Sequence, residues 1–315
     1  MGEFEFIANY LAKIAGAEAL DLKDDIALWT PPRDTQAVIS MDTIVEGVHF
    51  PNGKFDAQLA QKLIRVNVSD IIAKGADPIG YFFSLCTSST ITDENLKSFC
   101  EGLAKDQAKY GLKLWGGDTT HINGPCVLTL TIIGTVPTHC AVLRSGASVG
   151  DILCVTGTIG DAYLGLKCEF GTLAPNATLQ TVYHVPQPPY VLRENIRKFA
   201  SAALDISDGL IADAGHLANA SNVGLEIDIS AVPLSKHAQE WLIAQENENL
   251  ARLELATGGD DYQVLMSMSG RQYQLAVSVG MPITKIGCAV ERTGVVCHDD
   301  QGNTLEITTP GYTHF

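Results

Sequence analysis

The chain has 315 residues, the length of two domains or one large one, and 46% of them are hydrophobic, enough for ample cores. Its formal charge is −15, from 36 acidic and 21 basic residues, which argues against the basic face that a nucleic-acid or anionic-membrane partner requires. No apolar run reaches the ~18 residues of a membrane span, and the start, Met1-Gly2-Glu3-Phe4-Glu5-Phe6, is acidic where targeting peptides are basic, so the expected compartment is the cytoplasm.

Eight cysteines, Cys86, Cys100, Cys126, Cys140, Cys154, Cys168, Cys288 and Cys297, include no C-x-x-C pair. They match no zinc or cluster spacing and read as reduced thiols that pack as small hydrophobes.

In chain order, Phe4, Ile7, Leu11 and Ile14 recur at helical spacing and predict an N-terminal amphipathic helix. Asp24 and Asp25 precede the apolar run from Ile26. If that segment is a strand, adjacent acids point to opposite faces and only one can serve a given site. Ala37-Val38-Ile39 reads as a buried strand. Its far end, Ser40 to Phe50, carries Ser40, Asp42, Glu46 and His49, groups suited to a ligand and equally to a solvated loop.

Residues 56–74 predict a long helix ended by Gly75, with Asn67 and Asp70 three apart on one face. A strand at 81–85 and a helix at 93–110 follow. The next strand, 112–115, runs into Gly116-Gly117-Asp118, where glycines let backbone approach an anion and the carboxylate can take a metal. Another strand spans 126–136. The apolar pattern then lapses between Pro137 and Gly150, which places the domain boundary near 140.

The second half opens with a strand at 152–156 and a glycine turn into a helix through Lys167. This turn fits neither common nucleotide-binding glycine motif. Residues 170–190 read as an exposed, Pro-rich excursion. Ala203 to Gly209 is a strand end, with Asp205, Ser207 and Asp208 feeding a helix at 210–220. A strand at 225–229, the turn Gly258-Gly259-Asp260-Asp261-Tyr262 before a strand at 263–268, and strands near 284–290, 294–298 and 304–307 complete the pattern. The fold class expected is α/β or α+β in two domains, 1–140 and 141–315.

Asp25, Asp42, Asp70, Asp118, Asp205 and Asp208 end apolar strands or sit in apolar helices. So many like charges together are prohibitive without countercharge, and a shared cluster of Mg²⁺ ions is the economical explanation. Mg²⁺ takes oxygen ligands and keeps waters and substrate phosphates, which points to nucleotide chemistry.

These stretches, in this order over nearly the whole chain, resemble thiamine-monophosphate kinases of the aminoimidazole ribonucleotide synthetase-like superfamily. The matching pieces are Asp24-Asp25-Ile26-Ala27, Glu46-Gly47-Val48-His49-Phe50, Val66-Asn67-Val68-Ser69-Asp70 and Trp115-Gly116-Gly117-Asp118-Thr119-Thr120. They continue with Arg144-Ser145-Gly146-Ala147, Asp205-Ile206-Ser207-Asp208-Gly209-Leu210, Thr257-Gly258-Gly259-Asp260-Asp261-Tyr262 and Gly311-Tyr312-Thr313-His314-Phe315. The resemblance implies an N-terminal ATP- and Mg²⁺-binding domain whose sheet pairs across a homodimer. It also implies a C-terminal α+β domain completing the active-site cleft. The implied reaction takes ATP and thiamine monophosphate to ADP and thiamine diphosphate by direct in-line transfer.

The metal ligands it implies are Asp25, Ser40, the backbone of Met41, Asp42, Asp70, Asp118, Asp205 and Asp208. It assigns Tyr110, Gly117, Asp118, Arg144 and Ser207 to the nucleotide, and His49, Asp260 and Tyr312 to the thiamine phosphate. No side-chain base is expected, because the acceptor oxygen is already ionised. Several Mg²⁺ ions are implied, with K⁺ as a further candidate cation. Lys23 stands where the family usually has glycine, Met41 where it has threonine and Asp260 where it has glutamate. Glu46 has no implied ligand and reads as a brace for its loop. Two alternatives stay open: another ATP-dependent enzyme of the superfamily with a different small acceptor, and a non-catalytic protein that binds nucleotide and metal.

Overall fold

The computed structural model describes residues 2–312. It divides into two compact units. One is built from the chain up to Ile71 and from Ala76–Cys140, the other from Ile72–Gly75 and the chain from Ala141 onward. Thr313, His314 and Phe315 of the C-terminal motif lie outside the described residues.

In the first unit the N-terminal helix forms as expected, as Glu3–Phe6, Ile7–Leu11 and Ala12–Ile14, with a π turn in the middle. The expected strand at Asp24–Trp29 does not form. Leu20, Asp21 and Leu22 adopt positive φ (51°, 59° and 55°), so the chain turns there and Asp24 and Asp25 fall in a bend.

Four strands make one sheet: β1 (Thr35–Val45), β2 (Asp77–Thr87), β3 (Lys113–His121) and β4 (Val127–Pro137), in the order β1-β4-β2-β3. Only β2 and β3 run parallel. Directly paired residues share a face. The register therefore places Ser40, Ile132 and Tyr81 on one side, together with Asp42, Leu130 and Phe83.

That side is covered by two helices, Ala57–Ala73 and Asp93–Tyr110. Phe83 stacks on Phe99 at 5.5 Å, and Gln107 donates to the Tyr81 hydroxyl at 3.0 Å. The helices meet closely at Gly102, where a Cβ would overlap the Ala57 carbonyl oxygen. A buried ion pair also joins them: Arg65 Nε to Asp106 Oδ2 at 2.5 Å, with Gln61 Nε2 donating to Asp106 Oδ1 at 2.8 Å.

The opposite side of the sheet carries Ile39, Met41 and Phe82, which are 64%, 62% and 36% exposed. The expectation of a buried strand at Ala37-Val38-Ile39 is thus corrected. The strand exists, but it runs along a sheet edge and only its alternate side chains meet the helices.

The second unit holds a seven-stranded sheet: β5 (Ile152–Thr156), β6 (Ala202–Asp205), β7 (Gly224–Asp228), β8 (Val264–Met268), β9 (Ile283–Val290), β10 (Gly294–His298) and β11 (Thr304–Leu305). The order is β11-β10-β7-β9-β5-β8-β6, antiparallel except for β10 with β7. Alternate residues of β5, β6 and β8 enter two cores. Leu153, Val155, Leu204 and Leu265 pack with helix Leu210–Ser221. Cys154, Ala203, Val264 and Met266 pack with helices Arg193–Phe199 and Gly270–Ser278. Cys154 and Cys297 are buried, and Cys140 is exposed.

Residues 170–190 are not the expected exposed excursion. They contain helix Ala177–His184, whose Leu179, Tyr183 and His184 are buried. Gly165 of helix Asp161–Glu169 lets it approach closely, since a Cβ there would overlap the Leu179 carbonyl oxygen. Polar composition hid a helix that buries one narrow stripe.

Candidate functional site

Helix Ala57–Ala73 is started by Asp56, whose Oδ1 accepts the amides of Gln58 and Leu59 at 2.9 and 3.1 Å. The helix then carries Asn67 and Asp70 under β1. The Ser40 hydroxyl donates to Asp70 Oδ2, and the Asp42 amide donates to Asn67 Oδ1 at 3.2 Å. Asn67 is fully buried and is oriented by its own bond to the Leu63 carbonyl, 2.9 Å.

Burial, then the neighbouring Asp70 carboxylate, pushes Asp42 up to about 7. A hydroxyl and two carboxylates, one of them so poised, form an all-oxygen donor set that suits a hard divalent cation. The Met41 side chain pairs across to Thr131 on the exposed face, so only its backbone stays near this cluster.

Asp118 is elsewhere. It pairs with Ser84, which pairs with Thr129 and then Thr43. That row belongs to the exposed face and ends on β3, the edge opposite β1. A cavity of about 490 Å³ opens there, lined by Asp24, Asp25, Ser84, Gly117 and Asp118 beside Phe82 and Trp115. Within this unit the structure therefore makes two carboxylate groups, Asp42 with Asp70 and Asp25 with Asp118, on opposite faces of one sheet. The single shared cluster expected from sequence does not form from these four residues.

Gly117 also meets a packing requirement: a Cβ there would overlap the Phe83 carbonyl oxygen of the neighbouring strand. Tyr110, at the end of helix Asp93–Tyr110, is 1% exposed, with the Arg65 guanidinium 6.0 Å from its ring.

His49 lies in the loop after β1. The Val45 amide donates to His49 Nδ1 at 3.1 Å, and the His49 amide returns to the Val45 carbonyl at 2.9 Å. The Glu46 carboxylate accepts the amides of Gly53 (2.7 Å) and Cys126 (2.9 Å). Burial opposes its ionisation, yet these amides hold it below the usual carboxylate range. Glu46 is the loop's brace, as its lack of an assigned ligand suggested.

In the second unit three segments stack. Asp205 ends β6 and is buried. The turn Ser207-Asp208-Gly209 follows, lying against Thr257–Tyr262, where the amides of Asp260 and Tyr262 donate to the Ser207 and Ile206 carbonyls at 2.9 and 2.7 Å. On its other side the Tyr312 amide donates to the Asp208 carbonyl at 3.0 Å. Gly209 sits at φ 113°, and a Cβ there would meet the Thr257 carbonyl oxygen. Ser207, Asp208, Asp260 and Tyr312 are thus brought together by backbone contact.

Sequence reasoning missed four residues here. Asp213 Oδ2 accepts the amides of both Ser207 and Asp208 at 3.0 Å. Burial, then the Asp208 charge, pushes it up to about 7, while Arg144 pulls the other way. Asp208, Asp213 and His216 place ligand atoms within 4.8 Å of one another. Asp261 is buried and accepts the Gly160 amide through both oxygens, 3.0 and 2.9 Å, pinning the turn to the start of helix Asp161–Glu169. Tyr262 donates its hydroxyl to Asp260 Oδ1 at 2.9 Å. The spacing Asp208, Asp213, His216 on a helix start was the one signal available beforehand; the others depend on tertiary contact.

Residues 23–136 match the AIR synthase related protein N-terminal domain, and residues 148–280 match the C-terminal domain of the same description. A thiamine-monophosphate kinase of Caulobacter vibrioides is 39% identical over 320 residues, covering 99% of this chain and 90% of that protein. A crystal structure of thiamine-monophosphate kinase from Stenotrophomonas maltophilia K279a superposes with a TM-score of 0.79 at 33% identity, over 90% of this chain and 91% of that one. AaThiL complexed with AMPPCP and TMP superposes at 0.80 with 28% identity, over 93% and 91%. On this full-length identity the chain belongs to the thiamine-monophosphate kinase family.

Proposed function

We propose that the protein transfers the γ-phosphoryl group of ATP to thiamine monophosphate, giving thiamine diphosphate and ADP. The observation that carries this reading is the 39% identity to a thiamine-monophosphate kinase across 99% of the chain. In the step, an ionised oxygen of the acceptor phosphate bonds to the γ-phosphorus as the bond to the β–γ bridging oxygen breaks. No proton has to be removed first, so positioning and charge neutralisation suffice.

Ser40, Asp42 and Asp70 would hold Mg²⁺ on the helix-covered face, with the Met41 carbonyl beside them. Asp25 and Asp118 would hold it on the exposed face, and Asp205 and Asp208 in the second unit. Bound Mg²⁺ would neutralise the phosphates of both substrates. Gly117, Asp118, Arg144, Ser207 and Tyr110 would serve the nucleotide. His49, Asp260 and Tyr312 would serve the thiamine phosphate.

The exposed face with Ile39, Met41 and Phe82 is the surface we assign to pairing with a second copy. Apolar side chains at such exposure on one sheet face are uncommon without a partner. The direct test is incubation with ATP, Mg²⁺ and thiamine monophosphate, with and without K⁺. Thiamine diphosphate is the expected product, and its absence under all these conditions would overturn the reading.

A further inference from the structure

We infer that Asp213 is a positioning residue that holds the Ser207–Asp208 turn by its backbone amides, so that this turn meets ligands through its side chains alone; the identity of those ligands rests on the kinase reading. Asp213 lies in the first turn of helix Leu210–Ser221 and is 2% exposed. An acid in that turn commonly bonds back to the amide of the cap residue. This one reaches past the cap residue, Gly209. Its Oδ2 accepts the amides of Ser207 and Asp208, both at 3.0 Å.

Every backbone polar group of those two residues is then taken. The Ser207 carbonyl accepts the Asp260 amide at 2.9 Å, and the Asp208 carbonyl accepts the Tyr312 amide at 3.0 Å. Gly209 follows at φ 113°, where a Cβ would meet the Thr257 carbonyl oxygen. Its carbonyl accepts the Asp213 amide at 3.0 Å. Asp213 thus grips the turn through both its side chain and its backbone.

Two successive amides ahead of a helix form a concavity that ordinarily draws an anion such as a phosphate oxygen. Here an internal carboxylate fills it, and the helix start is closed to phosphate. The turn's offer to a nucleotide is then the Ser207 hydroxyl, and its offer to a metal ion the Asp208 carboxylate. Asp208, Asp213 and His216 place ligand atoms within 4.8 Å of one another, so the competing reading makes Asp213 a metal ligand itself. The two readings part on chemistry. One oxygen receives both amides, so the amide oxygen of asparagine can stand in for it, whereas a Mg²⁺ ligand of this kind works through its charge.

The test uses the full-length protein and the variants Asp213→Ala and Asp213→Asn. Hydrogen exchange read by mass spectrometry, without ligands, should rise ~10-fold at the Ser207 and Asp208 amides in Asp213→Ala, the effect of losing bonds to a charged acceptor. It should stay near wild type in Asp213→Asn. In the thiamine diphosphate assay, the Mg²⁺ concentration at half-maximal rate should rise ~10-fold in Asp213→Ala, as for the loss of a group that orients a ligand. Asp213→Asn should restore it to within about threefold of wild type. Equal deficits in the two variants would make Asp213 act by charge and overturn the inference, as would unchanged exchange in Asp213→Ala. Should Asp213→Ala fail to fold, Asp213→Asn carries the test: wild-type values uphold the inference, and a Mg²⁺ deficit of ~10-fold or more overturns it. If the wild-type protein makes no thiamine diphosphate, the kinase reading fails, and exchange in the two variants still decides whether Asp213 holds the turn.

Discussion

Asp42 and Asp118 stand on opposite faces and opposite edge strands of the same four-stranded sheet. The cross-strand row of Asp42 runs through Leu130 and Phe83, beneath the helices, whereas that of Asp118 runs through Ser84 and Thr129 on the exposed side. Two carboxylates so placed in one sheet cannot share an ion, whose oxygen ligands lie at about 2 Å. If both take part in the reaction, they serve separate ions of one copy or stand in sites of different copies.

Mixing Asp42→Asn with Asp118→Asn protein is therefore informative. If a site draws one residue from each copy, exchanged dimers contain one intact site, and roughly a quarter of wild-type activity should return from two variants that are each nearly inactive. Sedimentation checks the dimer, and a rate assay after slow co-refolding checks the complementation. No recovery in a confirmed mixed dimer would place both residues in a site of one copy.

Asp42→Asn and Asp208→Asn should each lower turnover by at least ~10²-fold, the cost of losing one preorganised charge contact. The measurement is kcat at saturating ATP, Mg²⁺ and thiamine monophosphate. Near-wild-type rates in both would refute the assignment of these carboxylates.

The raised Asp42 pKa also has a stability consequence. A carboxyl whose folded pKa lies near 7, above its unfolded value of 3.8, favours the fold most when protonated. Its contribution is fully present below pH ~4 and is lost as pH rises through ~7. Asp213 has the same sign and the same window. In the absence of Mg²⁺, Tm at pH 8 should rise in Asp42→Asn relative to wild type, with a smaller difference at pH 5. Added Mg²⁺ should raise the wild-type Tm more than that of the variant.

Asp260→Ala should weaken thiamine monophosphate more than ATP, seen as KM for the former rising ~10-fold or more with little change for the latter. Tyr262→Phe removes the hydroxyl bond to Asp260 and should show the same selectivity at a few-fold. Equal effects on both substrates would argue against a role for Asp260 at the acceptor.

Asp106→Ala leaves Arg65 buried without its carboxylate and should cost about 3–5 kcal/mol of stability. Urea denaturation followed by circular dichroism measures it. The pair is 4% and 0% exposed, so solvent can compensate little.

Local pattern made much of this protein legible. Helices over Ala57–Ala73 and Asp93–Tyr110 follow from apolar spacing, and the latter from a Thr92 cap and a Gly111 end at φ 71°. The strands of the second unit were found within a few residues, because apolar runs between turns carry that signal without help from elsewhere, whereas β1 and β3 extend to Val45 and His121, well beyond the apolar runs 37–39 and 112–115. The carboxylates at strand ends and in apolar helices, and the order in which they recur, pointed to phosphate and metal chemistry.

Tertiary structure decided what those residues can reach. Strand order and register put Asp42 and Asp118 on different faces, and neither quantity is written in a single strand's composition. The bend at Asp24 and Asp25 depends on three positive-φ residues that sequence pattern did not single out. Helix Ala177–His184 depends on a close approach at Gly165, and Asp213 and Asp261 matter only through the loops folded onto them. Secondary structure is fixed by neighbours along the chain. The side chains that share a site are fixed by pairing and packing between distant segments, so the sequence named the chemical groups and the fold determined which of them meet.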